Sequence, residues 1–333
     1  MDLDLHITDA CNLRCKHCMV EANADNRNSW DILSLNKIQG LMEDLKELNV
    51  NEIRLTGGEP LLNPEFFDIL NLLKLNGFKV QTQTNGLAID RSIVEKMHNS
   101  GLDSIFLSLD GLKDSHNDFR GNNFSFDSVI KAIKLFIKFG MKVRVNTVIH
   151  KKNIPDLLEL INLSKELGVD MHSFYSLGPI GRGKNLINDI LSFEEWENTT
   201  KTIREHVQKI DFSSHVMYQD VFSNSFTISS CHINSREKCI ILSNGDVYTC
   251  VYFLHSPYSL GNVFNEGLKN IWFNSKKWNK LSNIPKKTNC DKDCMGGCKG
   301  YSLIMLNDIE MCDPRCREKE HVFPRCCREY IYL

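Results

Sequence analysis

The chain has 333 residues, 42% of them hydrophobic, and 40 Lys and Arg set against 42 Asp and Glu leave a formal net charge of −2. That balance supplies no global basic field for nucleic acid, no apolar run approaches membrane-spanning length, and the acidic start Met1-Asp2-Leu3-Asp4 lacks the order of a signal peptide. Thirteen cysteines without such a signal point to a reducing cytoplasm and to metal ligation rather than disulfides, in a chain long enough for one barrel-sized core and a smaller domain.

The chain enters a first strand at once and runs from it into Cys11-Asn12-Leu13-Arg14-Cys15-Lys16-His17-Cys18. Three thiolates are one ligand short of a closed zinc tetrahedron, unless His17 supplies the fourth. An iron–sulfur cube held by three cysteines instead keeps one iron open to a substrate or cofactor. Residues 52–55 read as a short buried strand that leads into Thr56-Gly57-Gly58-Glu59-Pro60. Two glycines at a strand's C-terminal end let the backbone approach a ligand closely, and Glu59, before proline, is biased to an extended conformation. In open α/β sheets and barrels that is the end where ligands bind.

Strand and helix then alternate. Ile38, Leu41, Met42, Leu45 and Leu48 form one helical stripe, and Phe126, Val129, Ile130, Ile133 and Ile137 another. Strands are expected near 79–82, 104–109, 142–149 and 169–175, which with the first two gives six βα units and a parallel sheet. In 142–149 the alternation sets Val143, Val145 and Thr147 against Arg144 and Asn146, so a cation faces the interior and calls for an anion. Arg120 either meets such an anion or organises the loop 118–121, and Thr84-Asn85-Gly86 reads as an Asn-Gly turn. After Gly178-Pro179-Ile180-Gly181-Arg182-Gly183 the rhythm stops, and a polar stretch precedes a helix over about 193–210.

No cysteine falls between Val20 and Ser230, and ten crowd into the segment from Cys231 to Cys327. Thirteen residues separate Cys231 from Gly245 and four separate Gly245 from Cys250, around a hairpin signal at Ser243-Asn244-Gly245-Asp246. Cys290-x3-Cys294-Met295-Gly296-Gly297-Cys298 and Cys312-Asp313-Pro314-Arg315-Cys316 follow.

The C-x3-C-x2-C run together with Gly-Gly-Glu-Pro resembles the radical S-adenosylmethionine (SAM) superfamily, and the C-terminal pattern resembles its SPASM extension. The resemblance implies an α/β fold: a (β/α)6 partial TIM barrel over 1–190, a helical linker over 191–230 and a small cysteine-rich α+β SPASM domain over 231–333. It implies that Cys11, Cys15 and Cys18 hold a [4Fe–4S] cluster whose open iron is chelated by SAM. Gly57, Gly58 and Glu59 would lie along the SAM amino group, with Arg144 or Arg120, Ser108 and Asn146 toward its carboxylate. One electron, from a donor such as flavodoxin or ferredoxin, would split SAM into a 5′-deoxyadenosyl radical that abstracts hydrogen from substrate.

One or two auxiliary [4Fe–4S] clusters are implied, the first on Cys231, Cys239, Cys250 and Cys298, the second on Cys290, Cys294, Cys316 and Cys312. The last block is compressed relative to the family and lacks one cysteine, and zinc in one of these positions is the alternative. Cys326 and Cys327 are left over, either as a replacement ligand or as thiol hydrogen donors. The expected activity is oxidation, epimerisation or crosslinking of a ribosomal peptide or protein residue. Tetrapyrrole side-chain decarboxylation is the enzyme alternative, and a metal-binding or electron-transfer module the non-enzyme one. Val251 stands where the sulfatase-maturing branch carries Asp, which counts against formylglycine formation. With no room for a leader-binding domain ahead of the barrel, a peptide is expected to dock on the SPASM domain, the barrel mouth or a separate partner.

Overall fold

A computed structural model describes residues 1–22, 24, 30–218, 233, 236–254, 256–283, 298–311 and 313–314. Cys231, Cys290, Cys294, Cys312, Cys316, Cys326 and Cys327 lie outside the described residues.

Strands β1 (Asp2–His6), β2 (Glu52–Thr56), β3 (Lys79–Thr84), β4 (Ser104–Ser108), β5 (Val143–Ile149) and β6 (Met171–Ser176) pair in chain order and in parallel. Parallel neighbours need crossovers, and helices supply them: α1 (Leu35–Gln39), α2 (Met42–Glu47), α3 (Phe66–Leu75), α4 (Arg91–Asn99), α5 (Lys113–Arg120), α6 (Ser125–Lys138) and α7 (Leu157–Leu167). The stripe expected as one helix from Ile38 to Leu48 is split into α1 and α2 at Gly40-Leu41. After β6, α8 (Phe193–Lys209) starts on a capping box in which Ser192 and Glu195 satisfy each other's backbone N–H groups.

Alternation along the strands sorts the two faces. Leu3, Leu5, Ile53, Leu55, Val80, Ile105, Leu107, Val143 and Val145 are buried against apolar residues of the helices, among them Ile69, Val94, Val129, Phe136 and Leu160. The other face turns Asp4, Arg54, Gln81, Phe106, Arg144, Ser173 and Tyr175 toward the lumen. The polar lumen expected from Arg144 and Asn146 is therefore present.

Two strands extend the six-stranded core. β7 (Val216–Tyr218) adds in parallel to β6, and β8 (Lys238–Ile241) adds in parallel to β1. β9 (Asp246–Tyr248) and β10 (Gly261–Asn262) continue antiparallel, completing a ten-stranded sheet. The expected hairpin thus forms, and its Gly245 is required: at φ 93, a Cβ there would lie 2.4 Å from the Phe264 ring. Cys239 pairs with Leu3 in this extension and sits fully buried in the main apolar core, where burial pushes its thiol pKa up. The assignment of Cys239 to an auxiliary cluster is corrected accordingly: alternation sends it to the helix-packed face with Leu3.

His172 shows what that packed face demands. Thr147 Oγ1 donates to the Leu109 carbonyl, so it must accept from His172 Nε2–H at 2.8 Å, which leaves Nδ1 to accept from Ser164 Oγ–H at 2.8 Å. One neutral tautomer is specified, and burial holds its pKa down to about 3 from 6.5, against the pull of Asp110. Between those values the unfolded chain binds a proton that the folded chain does not, so this contribution is complete above pH 6.5 and is lost as pH falls toward 3. Urea unfolding at stepped pH is expected to show stability falling below pH 6.5. His172→Gln, which keeps hydrogen-bonding groups without titrating, should flatten that slope; an unchanged slope refutes the assignment.

Candidate active site at the C-terminal ends of the strands

The segment after β1 zips onto the segment after β2. Ile7 N–H donates to Thr56 O (3.0 Å), Gly58 N–H to Thr8 O (2.8 Å) and Glu59 N–H to Ala10 O (2.6 Å). A Cβ on Gly57 would lie 2.1 Å from Thr8 O, and one on Gly58 would lie 2.1 Å from Ala10 O. The backbone these glycines admit is thus the chain's own, the stretch leading to Cys11.

Glu59 turns inward, nearly fully buried, and its carboxylate accepts from Thr84 Oγ1 (2.7 Å), Asn85 N (2.9 Å) and Leu61 N (3.4 Å). Burial pushes its pKa up to about 7 against those hydrogen bonds. The Asn85 side-chain amide donates to Asn12 Oδ1 at 2.8 Å, so the Thr84-Asn85-Gly86 turn, with Gly86 at φ 79, also anchors the cysteine segment.

Cys11, Leu13, Cys15 and Ala22 form a small buried cluster of their own, with Cys18, Val20 and Leu87 packed on it. Burial pushes the Cys11 thiol up to about 12, with Glu59, Cys15 and Cys18 adding to the rise. From the loop after β6, Arg182 closes over this segment: its backbone N–H meets Cys18 O (3.0 Å), its Nε meets Cys15 O (2.9 Å) and its Nη1 meets Ala22 O (3.1 Å). Arg182 thus clamps the cysteine segment.

Beneath Cys15 lies an ion pair. Arg120 donates from Nε to Asp110 Oδ2 (2.6 Å) and from Nη1 to Cys15 Sγ (3.6 Å). Burial works against ionisation of Asp110, yet Arg120 beside it, with His17, His116 and the Val148 amide, holds its pKa down to about 2. His17 Nε2 lies 3.7 Å from Asp110 Oδ2, and its ring stacks on Phe119 at 4.0 Å, while Phe119 stacks on His150 at 4.1 Å. Burial drives the His17 pKa down to about 3, so this ring is neutral near pH 7.

The donor set fits an iron–sulfur cube. Two buried thiols and a partly buried third lie in one cluster, and two N–H donors point at their sulfurs: Arg120 Nη1 at Cys15 and Ala22 N at Cys18, 3.4 Å away. Metal ligation removes the protons that burial otherwise keeps on such thiols. Among the described residues no three His, Cys, Asp or Glu side chains converge as a single-ion site requires, and His17 is engaged by Phe119 and Asp110.

Ser108, the last residue of β4, and Asn146 are register partners on the lumen face, and Asn146 Oδ1 is buried without a hydrogen-bond partner. Arg144 is a correction. It is the second residue of β5, so in a parallel sheet it stands toward the N-terminal end, away from the cysteine segment. Its guanidinium lies over Phe106, 5.3 Å from the ring centre.

The segments that follow two of the C-terminal cysteines pack against each other. Cys250 precedes a turn at Val251–Phe253 and Cys298 caps the helix Lys299–Leu306. Gly300 is packed so closely on Tyr252 that a Cβ would lie 2.5 Å from the Tyr252 Cβ, and Tyr252 meets Tyr301 edge to face at 5.9 Å. Asp313, of the Asp-Pro pair noted in the sequence, accepts from Cys298 N–H at 3.1 Å. Sequence reasoning passed over Asp110, Phe119 and His150. The legible signal for Asp110 was an acid followed by glycine directly after an apolar strand.

Comparison with known proteins follows the same division. The profile of the Radical SAM superfamily matches residues 5–164, and that of SPASM, the iron–sulfur cluster-binding domain, matches 231–299. The chain is 25% identical over 346 residues to mycofactocin maturase MftC of Mycobacterium tuberculosis, covering 98% of this chain and 85% of that protein. It is 30% identical over 261 residues to a probable GTP 3′,8-cyclase of Sulfurisphaera tokodaii, covering 75% and 81%. It is 25% identical over 336 residues to an AdoMet-dependent heme synthase of Methanosarcina barkeri, covering 93% and 94%. Among solved structures, Streptococcus suis SuiB bound to its precursor peptide SuiA superposes with a TM-score of 0.81 at 22% identity, covering 95% of this chain and 75% of that one. The chain belongs to the radical SAM superfamily and carries a SPASM iron–sulfur cluster-binding domain after its barrel.

Proposed function

We propose that this chain is a radical SAM/SPASM oxidoreductase that modifies a residue of a ribosomal peptide by hydrogen abstraction, fed by a small electron-transfer protein such as flavodoxin or ferredoxin. The observation that carries the reading is the largely buried three-thiol segment, clamped at the C-terminal ends of the strands by Arg120 and Arg182. Cys11, Cys15 and Cys18 would hold the [4Fe–4S] cluster and leave one iron to SAM. When bound, cluster and SAM together supply one-electron cleavage of the sulfonium and a carbon-centred hydrogen abstractor.

The protein's own part is placement and exclusion of water. Arg120, fixed by Asp110, sets a positive charge beside Cys15. Ser108 and Asn146 offer polar groups on the lumen face for the amino acid end of SAM. The stacked rings of His17, Phe119 and His150 wall the site on one side. We assign Cys250 and Cys298 to auxiliary iron, with Cys231, Cys290, Cys294, Cys312 and Cys316 as further ligands; Cys239 is not among them. A peptide substrate is supported by the maturase among the relatives and by the precursor peptide in the SuiB structure. The second reading, tetrapyrrole side-chain chemistry, rests on the heme synthase, which this chain matches along 94% of its length.

Anaerobic reconstitution is expected to load roughly twelve irons per chain, from three cubes. Replacing Cys11, Cys15 and Cys18 together by Ala should remove about one third of that iron and abolish reductive release of 5′-deoxyadenosine. Retained SAM cleavage in the triple variant sinks the assignment.

Cys298→Ala separates the two metal regions. Reductive SAM cleavage should persist while product formation collapses, because the barrel thiols do not depend on that residue. A variant that keeps its full iron content excludes Cys298 as a ligand. Co-expression with precursor peptides encoded next to the gene, read by mass spectrometry, decides between peptide and tetrapyrrole: a peptide of altered mass supports the first, and turnover of an iron porphyrin with unaltered peptides the second.

A further inference from the structure

A cavity of about 270 Å³ opens in the lumen at the N-terminal ends of the strands, remote from the cysteine segment, with Arg54, Gln81, Phe106, Arg144, Ser173 and Lys238 in its lining. Among the described residues its charges pair off with two exceptions, Arg144 and the exposed carboxylate of Asp2 at the start of β1. Asp4 is held by Arg54 (2.7 Å) and by Lys238 (2.9 Å), and Glu52 is held by Lys79. Arg54 and Arg144 both lie against the Phe106 ring, 5.4 and 5.3 Å from its centre. Arg144 therefore has an aromatic partner and no ion pair with a carboxylate among the described residues. A guanidinium lying against a ring keeps its N–H edge for a planar, two-oxygen acceptor.

A second observation is independent of this charge. Ser104, the register partner of Gln81 on the lumen face, is almost fully buried, and its hydroxyl has no hydrogen-bond partner. Buried polar atoms are normally satisfied; Ser104 is not itself in the cavity lining, but its register partner Gln81 is, so the unmet hydroxyl sits one strand away from the cavity wall. The volume adds a constraint: whole drug-sized ligands occupy roughly 300 Å³ or more, so this space suits the end of a longer molecule.

We propose that this cavity is a carboxylate-binding subsite for the substrate, with Arg144 as its anchoring cation, and that the carboxylate is a side-chain or terminal group of an extended peptide. The proposal deepens the peptide-modifying reading and rests on it. Length supports the peptide. From Arg144 to His150, whose ring reaches the cysteine segment through Phe119 and His17, β5 advances six residues, about 20 Å at 3.3 Å each. A ligand anchored at Arg144 and reacting at the cluster end spans that distance, which five or six extended peptide residues match.

Arginine-selective labelling of the reconstituted, SAM-loaded holoenzyme with phenylglyoxal, mapped by peptide mass spectrometry, tests this with Arg54 as internal control. Arg144 should label faster than Arg54, whose guanidinium is tied to Asp4. N-acetyl-tetraglycine as the free acid should slow Arg144 labelling about tenfold, while its C-terminal amide leaves the rate unchanged. Equal slowing by the amide, or no slowing by any carboxylate probe, overturns the subsite. Slowing by mesoporphyrin dipropionate and not by the peptide acid overturns the peptide source and moves the carboxylate to a tetrapyrrole. Release of 5′-deoxyadenosine by the same unlabelled preparation is read separately: its absence overturns the SAM-cleaving reading, and its presence without protection overturns only the subsite.

Discussion

The buried pair of Asp110 and Arg120 is the contact on which the active-site end of the barrel depends. A guanidinium taken out of water must be met by a charge and by hydrogen bonds, or the desolvation cost is not offset. Asp110 meets it while being held from three other directions. Its Oδ1 accepts from Val148 N–H of β5, its backbone N–H donates to His116 Nδ1 of α5, and its carbonyl accepts from Asn153. His116 Nδ1 is thereby an acceptor, so Nε2 carries the proton and donates to Ser125 Oγ, which ties in α6 as well. Asp110, by its carboxylate and its backbone together, thus ties the end of β4, β5, α5 and α6 to the side chain that approaches Cys15. Removing either partner leaves an unpaired buried charge under the cluster segment.

The cysteine segment itself has few backbone ladders, so its shape is imposed from outside. Gly57 and Gly58 let β2's exit come within bonding distance of β1's exit, Asn85 reaches Asn12, and Arg182 gathers the carbonyls of Cys15 and Ala22. These holds come from the C-terminal ends of different strands. That is why the parallel barrel is a suitable scaffold: in-register parallel strands deliver all their exits to one face. The same geometry makes the opposite end a separate chemical environment, lined with Asp2, Glu52 and Lys238 at strand starts.

Much of this was legible in the sequence, because it rested on local pattern. Strand positions, the stripe of α6, the Gly245 hairpin and the three-thiol segment follow from periodicity and spacing that the fold leaves intact. What the sequence did not disclose was depth and facing. Arg144 and Asn146 share a face by alternation, yet nothing local says that two residues separate the N-terminal cavity from the region below Ser108. Cys239 looked like one ligand among many because its burial against Leu3 exists only once β8 has added to β1, a pairing between residues more than two hundred positions apart. The glycines after β2 announced a close approach, and the side on which a Cβ would project is filled by the chain's own backbone at Thr8 and Ala10.

That addition of β8 to β1 also bears on how the two metal-bearing regions are related. A tethered domain would leave their separation to a linker, whereas a shared sheet fixes it through backbone hydrogen bonds along Asp2 to Leu5. Side chains reinforce the arrangement. Tyr252, two residues after Cys250, contacts Gly178 in the loop after β6, and four residues on in that loop Arg182 clamps Cys15. The Cys250 and Cys298 turns are therefore joined to the cysteine segment by two independent routes, one through the sheet and one through the 178–182 loop. Electron transfer and substrate positioning both depend on fixed separations, and a route pair of this kind supplies one without requiring a dedicated interface. The barrel's first strand, flanked by β2 on one side and β8 on the other, is the element that both regions share.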